Sequence, residues 1–549
     1  MKKYFFFVVL AVTINSSSLD AQTWQWAQSA GGINEDYNFK ISQDQSGNIY
    51  VAGTLGLPTG YFQTDTFNIS GFNDFYIAKY DINGNEIWVK KFGGPNSNMT
   101  NIKSEGITDF IFDPLENCLI ACGIFYETCD FGTVTLNTSI NDLQMFIAKF
   151  DLNGNCLWAK AGGSSGDERG AKIATDTSGN LYVEGSFIMN GNFDTLSVEA
   201  GGFLAKFNSG GNGLWTKKIF SNPLSFLSAY DVVDLVYTNN YIFMFGFSLD
   251  SLSIDTITFT KTNYVSQILT KWNNNGDIIW ANQMGGPSNN YYGSLSYDSI
   301  GNFYFSGAYN GSYAIFGSDS IFSSGSTQGY LAKYNSSGSK VWIKQIDISQ
   351  NIKFYGGYCD KDGNLYSTGS ISGNATFDSF NINSNTNEDL FVTRYNTNGD
   401  CLGVRHAGEG IGFDVISDGT GSAYLTGKFT NTIFFDSHSL SSLGNADIFI
   451  AKIDAITGLG GETRNSRNQL LIYANPNAGK CNITIPDEFI IETYLQLTIF
   501  DNFGKIIQQK SVEMNEGKIK LNLEAEAKGM YHVTLGNGKK SYSGKIVFE

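Results

Sequence analysis

Carboxylates are the side chains of this 549-residue sequence best suited to chemistry: 52 Asp and Glu stand against 36 Lys and Arg and only 3 His, for a net charge of −16. Glycan cleavage uses such groups as a spaced acid and base. Six aspartates, Asp44, Asp113, Asp176, Asp298, Asp360 and Asp418, recur in one local pattern. That recurrence points to a turn, because an Asp side chain accepts N–H groups two residues on. The acids outside the pattern, Asp167, Glu168, Glu184, Glu199, Glu388, Asp389 and Glu409, have no partner identifiable from spacing. Asp360-Lys361-Asp362-Gly363-Asn364 has the start of a calcium loop, but Ile371 stands where EF-hand spacing needs Glu. Calcium is therefore the lesser expectation there, a plain turn the main one, and no cofactor is expected. His406, His438 and His532 are too scattered for a zinc site. No Gly-x-Ser-x-Gly lies between a strand and a helix, and the Gly-Gly pairs precede no helix that would make a phosphate cradle. The acidic balance argues against nucleic acid as a partner.

The elements that must carry these residues come from self-comparison. A Trp phrase recurs with Trp26, Trp88, Trp158, Trp215, Trp280 and Trp342 aligned, and a seventh copy has Gly403 in the Trp place. Each is followed by a phrase such as GNIYVAG (47–53) or GNLYVEG (179–185), then by one such as DFYIAKYDING (74–84) or DIFIAKID (447–454). All three phrases occur seven times, at Trp spacings from 57 to 70 residues. They alternate apolar and polar residues, are rich in Tyr, Phe, Ile and Val, and are bounded by Asn-Gly or Gly-Asn, so each predicts a strand ending in a tight turn. About four short antiparallel strands, radially repeated, make a β-propeller blade. The repeated Trp residues are expected in the packing rather than as sugar platforms. The sequence enters on a Trp strand and leaves the repeat on an AKID strand with no Trp strand after it. The N-terminal strand is therefore expected to complete the last blade, which gives an all-β, seven-bladed propeller over residues 22–458.

These units resemble the β-propeller repeat of secreted bacterial proteins, the SBBP family, through Asp44, Gly47, Asn48, Tyr50 and Gly53, then Asp74, Phe75, Ala78, Lys79 and Tyr80. The unit ending at Gly246 departs from the pattern, with Thr238-Asn239-Asn240 at its turn and Trp272 at the Tyr position. The resemblance implies an architecture and no particular activity.

The two ends concern export. Residues 1–21 have Lys2 and Lys3, an apolar run from Tyr4 to Ile14, and a small residue, Ala21, at the expected cut: the layout of a secretory signal peptide. No stretch is long and apolar enough for a spanning helix, so no transmembrane anchor is expected. Export places the 7 Cys in an oxidising compartment. Cys122 and Cys129 could face across a hairpin, and mostly buried free thiols are expected. Residues 459–468 have linker composition, and strand-rich 469–549 predict a small β-sandwich. This end resembles the C-terminal sorting domain of the Bacteroidetes type IX secretion system through Tyr473, Asn475-Pro476, Gly479, Asp501, Gly504-Lys505, Lys528-Gly529-Met530-Tyr531 and Lys545-Ile546-Val547. Ala474 stands where the family has Pro. The resemblance implies the type IX machinery as a partner, with Asn475, Pro476, Gly479, Gly504, Lys505, Gly529, Tyr531 and Lys545 as the sorting signal.

Regular blade spacing leaves no room for a long grafted loop, and propellers work through loops and channel. The expected function is that of a secreted or cell-surface binding module for a glycan or protein ligand. The alternative is a glycan hydrolase or lyase with carboxylates at the channel mouth.

Overall fold

The computed structural model describes residues 23–548 apart from 72, 96–105, 139–141, 167, 221–230, 249–251, 255–256, 260–265, 285–292, 324–326, 385, 455, 457–469, 471, 474–477, 486–488, 490–493, 502–504, 514–517 and 538–540. The signal segment with Ala21, the 459–468 linker, Asp167, Asn475, Pro476 and Gly504 lie outside the described residues. The chain divides into two compact units, 1–461 and 462–549. The described residues contain no α-helix.

In the first unit the three phrases form strands of antiparallel meanders. The first runs Tyr37–Gln43, Ile49–Gly56, Asn73–Tyr80 and Glu86–Phe92, and the same succession recurs along the chain. The strands Ala423–Phe429 and Asp447–Ile453 end the series, and the fourth place beside them is taken by Trp24–Gly32. The N-terminal strand thus pairs with the last repeat, at Ala27↔Ala451 and Ser29↔Phe449. Cys401–Ser417 is one long strand shared by the sixth and seventh meanders. First strands of successive meanders touch, and Tyr37–Gln43 touches Cys401–Ser417. Apolar residues of the second and third strands are buried between neighbours, as with Tyr50, Phe75 and Ile77 against Phe110, Leu119 and Phe146.

Each meander also carries a short hairpin between its second and third strands, for example Thr59–Tyr61 with Thr66–Asn68 and Gly191–Phe193 with Leu196–Val198. Four strands per repeat were expected. Strands of three residues are too short to show a period of two, so the hairpins were not visible in the pattern. They explain the Gly-Gly pairs. Tyr61 pairs with Gly31 and Phe193 with Gly162, and a Cβ on Gly32 would lie 2.1 Å from Thr59 O. The glycines admit a crossing backbone.

The second unit has two antiparallel sheets. One contains Ile472–Tyr473, Lys480–Thr484 and Lys518–Asn522; the other contains Tyr494–Asp501, Ile506–Glu513, Gly529–Gly536 and Ser541–Phe548. Both contribute to one core that includes Ile483, Leu497, Ile519, Val533 and Ile546.

Candidate functional site

The recurring aspartates hold turns. Asp44 Oδ1 accepts N–H from Ser46 and Asn48, both at 2.9 Å, while its Oδ2 accepts Asn48 Nδ2 at 2.7 Å and Tyr50 Oη at 3.0 Å. Burial alone would raise its pKa, but these bonds outweigh burial and hold the carboxyl below the usual range. Lys79 of the AKY phrase places Nζ 3.8 Å from Asp44 Oδ2 and 5.0 Å from the Tyr50 ring centroid. Asp176 with Lys206 and Asp298 with Lys333 repeat the arrangement. Asp360, the calcium-loop candidate, has both oxygens engaged in the same way by Asp362 N, Asn364 and Tyr366.

One step inward lies a set of residues that the turn pattern concealed. Four positions before each turn residue stand Lys40, Asp109, Lys172, Asp234, Ser294, Gly356 and Asp414. Each pairs with the residue preceding a second-strand glycine, as in Lys40↔Ala52, Asp109↔Cys122 and Asp414↔Thr426. They occupy equivalent places on first strands, and in most repeats a β-bulge lies beside them. Such bulges re-aim a side chain. A cavity of about 810 Å³ is lined by Lys40, Asp109, Asp234 and Asp414, with Ser42, Tyr297 and Tyr358 also in its wall. Lys40 Nζ lies 3.5 Å from Asp109 Oδ1. Burial opposes the Lys40 charge, but Asp414, Asp109 and Asp234 outweigh it and hold the ammonium above the usual lysine range. Burial pushes Asp234 up, and pushes Asp414 up to about 6 against the pull of Lys40.

Each of these carboxylates is committed to backbone on two strands. Asp109 accepts Phe110 N at 3.0 Å and Ile173 N of the next meander at 3.0 Å. Asp234 accepts Leu235 N at 3.0 Å and Leu295 N at 3.4 Å. Asp414 accepts Val415 N at 3.0 Å and Ile41 N at 3.2 Å, joining the last meander to the first. The acids therefore fasten neighbouring strands. The spare donor capacity belongs to the lysines, and the exposed aromatic surface belongs to Tyr297, which retains 39% exposure in the wall. The signal was present in the sequence as a charged residue four before the turn, but it varies in type from copy to copy.

The other sequence candidates are dispersed. Glu168 is buried and accepts Ser164 N at 2.5 Å. Glu184 pairs across strands with Lys172, and Glu199 meets Lys218 at 3.3 Å. Glu388 and Glu409 do come together, lining a cavity of about 350 Å³ with Lys428, and Asp389 Oδ2 lies 3.1 Å from His406 Nδ1. Among the described residues no group of three or more His, Cys, Asp or Glu is placed to hold a metal. None of the seven Cys is in a disulfide, and Cys122 and Cys129 belong to different core clusters. Of the sorting-signal candidates, Gly479 has φ +95°, Tyr531 donates its hydroxyl to Ala527 O, Lys505 is exposed, and Gly529 and Lys545 lie in paired strands.

Residues 471–549 match the family described as secretion system C-terminal sorting domain. The chain thus carries a type IX sorting module and is a secreted or outer-surface protein. No helix among the described residues is long and apolar enough to cross a membrane. Over 157 residues, 27% of this chain, it is 27% identical to an uncharacterized WD repeat-containing protein of Acanthamoeba polyphaga mimivirus, and the match spans 11% of that protein. Among solved structures, a duf4221-family member from Bacteroides vulgatus is 11% identical, with 63% of this chain and 92% of that one covered, at TM-score 0.31. A putative glycoside hydrolase from Parabacteroides distasonis is 10% identical, covering 57% and 87%, at 0.27. A Synechocystis apocarotenoid oxygenase is 11% identical, covering 79% and 94%, at 0.34. At these TM-scores no activity carries over.

Proposed function

We propose that the meanders are the blades of a seven-bladed β-propeller of the secreted bacterial repeat type, closed by Trp24–Gly32 and exported by a β-sandwich sorting module, and that this propeller is a binding module. Its ligand is a glycan or a protein segment that enters the central channel. The observation carrying this reading is the commitment of Asp109, Asp234 and Asp414 to backbone N–H groups, beside a cavity of about 810 Å³ that presents Lys40, Ser42 and Tyr297. A general base needs an oxygen within reach of substrate, and these oxygens are held by strands. Tyrosine offers an apolar face with a polar tip, suited to a sugar ring or an extended peptide.

A hydrolase is the second reading, favoured by the Asp414 carboxyl at about 6 and by Tyr297 near the Asp234 charge. A glycan array probed with the full chain, followed by product analysis on each ligand retained, separates the two. The binding reading predicts retention without shortened products. Shortened products that disappear in Asp414→Asn would establish the hydrolase instead.

A further inference from the structure

The third strand of each meander opens on one repeat position, held by Asp74 in the first and Asp447 in the last. Where this residue is acidic elsewhere, the fourth strand supplies a nitrogen partner. Lys91 Nζ lies 2.5 Å from Asp74 Oδ2, and His406 Nδ1 lies 3.1 Å from Asp389 Oδ2. Where it is Ser266, Gln283 donates to it at 2.9 Å. The matching residue for Asp447 is Ser29, paired with Phe449 as Lys91 is with Tyr76 and His406 with Phe391. Among the described residues no ammonium or guanidinium forms an ion pair with Asp447.

Its neighbour is a second acid. Asp36 Oδ2 and Asp447 Oδ1 each lie 2.9 Å from the point that a Cβ on Gly31 would occupy, so the two carboxyls flank this glycine of the N-terminal strand. They are 0% and 1% exposed. Asp36 accepts Gly32 N at 2.6 Å and Gly56 N at 2.8 Å; Asp447 Oδ2 accepts Leu443 N at 2.8 Å, and the Gly444 N–H also favours its charged form. The junction of the second and third meanders shows what belongs there. Glu168 takes the place of Asp36, its N–H bonded to Leu143 O as that of Asp36 is to Ala446 O, and the Asp447 position is Gln144. There Gln144 Nε2 donates to Ser164 O at 3.2 Å, so a neutral donor occupies the position that Asp447 holds in the last repeat.

We propose that Asp36 and Asp447 share one proton, which makes this seam a pH-responsive clasp between the N-terminal strand and the last blade. Two buried carboxyls facing one glycine do not both ionise freely, and the charge of Asp447 acts on Asp36. Burial, with the charge of Asp447 behind it, pushes Asp36 up to about 7, and burial pushes Asp447 up to about 6. The other titratable groups facing the pair are tyrosines: Tyr76 and Tyr37 both feel the charge of Asp36. Glu35 accepts the Tyr37 hydroxyl, and the Lys428 ammonium sits 4.6 Å above the Tyr37 ring. Because both acids lie above the unfolded value of about 3.9, the folded seam retains a proton that the unfolded chain releases. Its stabilisation is complete below about pH 4, falls progressively above that, and is gone once pH has passed 6 to 7.

Thermal unfolding of the full chain tests this with Asp447→Asn and Asp447→Gln, the second being the residue of sister repeats, at pH 5 and pH 7.5. Both variants supply the N–H permanently, so at pH 7.5 they should melt about 3 °C above wild type, and at pH 5 the gap should be clearly smaller. A gap of the same size at both pH values, or lower melting of both variants at pH 7.5, would overturn the proposal. So would calcium raising the wild-type Tm at pH 7.5 but not that of the variants, since a metal would then be the missing counter-charge.

Discussion

Trp158 stands between its own blade and the turn of the next. Its Nε1 donates to Ser209 O at 3.3 Å, and its ring lies against Gly211, where a Cβ would sit 2.9 Å from Trp158 Cε3. Gly211 also has φ +76°, so both space and conformation select glycine there. Trp26 meets Gly84 in the same way, donating to Ile82 O at 3.2 Å. The repeated tryptophans were legible as packing residues, but the packing is between repeats, which no single copy of the phrase reveals. The exception at Gly403 follows from closure. A Trp there would meet no turn between third and fourth strands, since the fourth strand is Trp24–Gly32; the chain after Ile453 lies there instead, with Ile456 O accepting Arg394 Nη1 at 3.1 Å. Trp158→Ala should therefore lower stability by about 3 kcal/mol in denaturant unfolding, while Gly403→Trp should add none. A stabilising Gly403→Trp would show that a partner surface exists after all.

At the scale of elements, the strands and their phase were readable because three phrases with period-two patterning recur at nearly fixed spacing. The phase alone placed the N-terminal strand beside the last repeat, and the pairing from Trp24↔Ile453 to Ala30↔Ile448 agrees. The hairpins were hidden by their three- and four-residue strands. The charged positions around the channel were hidden by variation in sign, since Lys40, Asp109 and Ser294 share a place but no chemistry. Hydrogen exchange offers a direct check of the seam. Amides of Trp24–Gly32 should exchange as slowly as those of Asp447–Ile453, the strand they pair with. Exchange of the N-terminal strand within seconds, with its neighbour protected, would mean that it is not a full member of the sheet.

For the whole molecule, the aromatic-rich, charge-poor composition is accounted for by the repeated cores, where among the described residues Phe and Tyr such as Phe75, Phe146, Phe305 and Tyr330 pack between adjoining sheets. Lys79, Lys206 and Lys333 are taken up by the Asp–Tyr turns, and Asp109, Asp234 and Asp414 by strand junctions. What is left for a partner is the wall of the cavity that holds Lys40 and Tyr297, on a protein that is secreted or held at the outer surface. Entry of ligand beside Tyr297, as proposed, is tested most directly by calorimetric titration of the full chain with a glycan retained on the array. Tyr297→Ala should weaken binding by about tenfold, on the order of 1.4 kcal/mol, while Phe434→Ser on the outer hairpin, where Phe434 is 60% exposed, should leave it unchanged. Wild-type affinity in Tyr297→Ala together with loss of binding in Phe434→Ser would contradict the account and move the site to the rim.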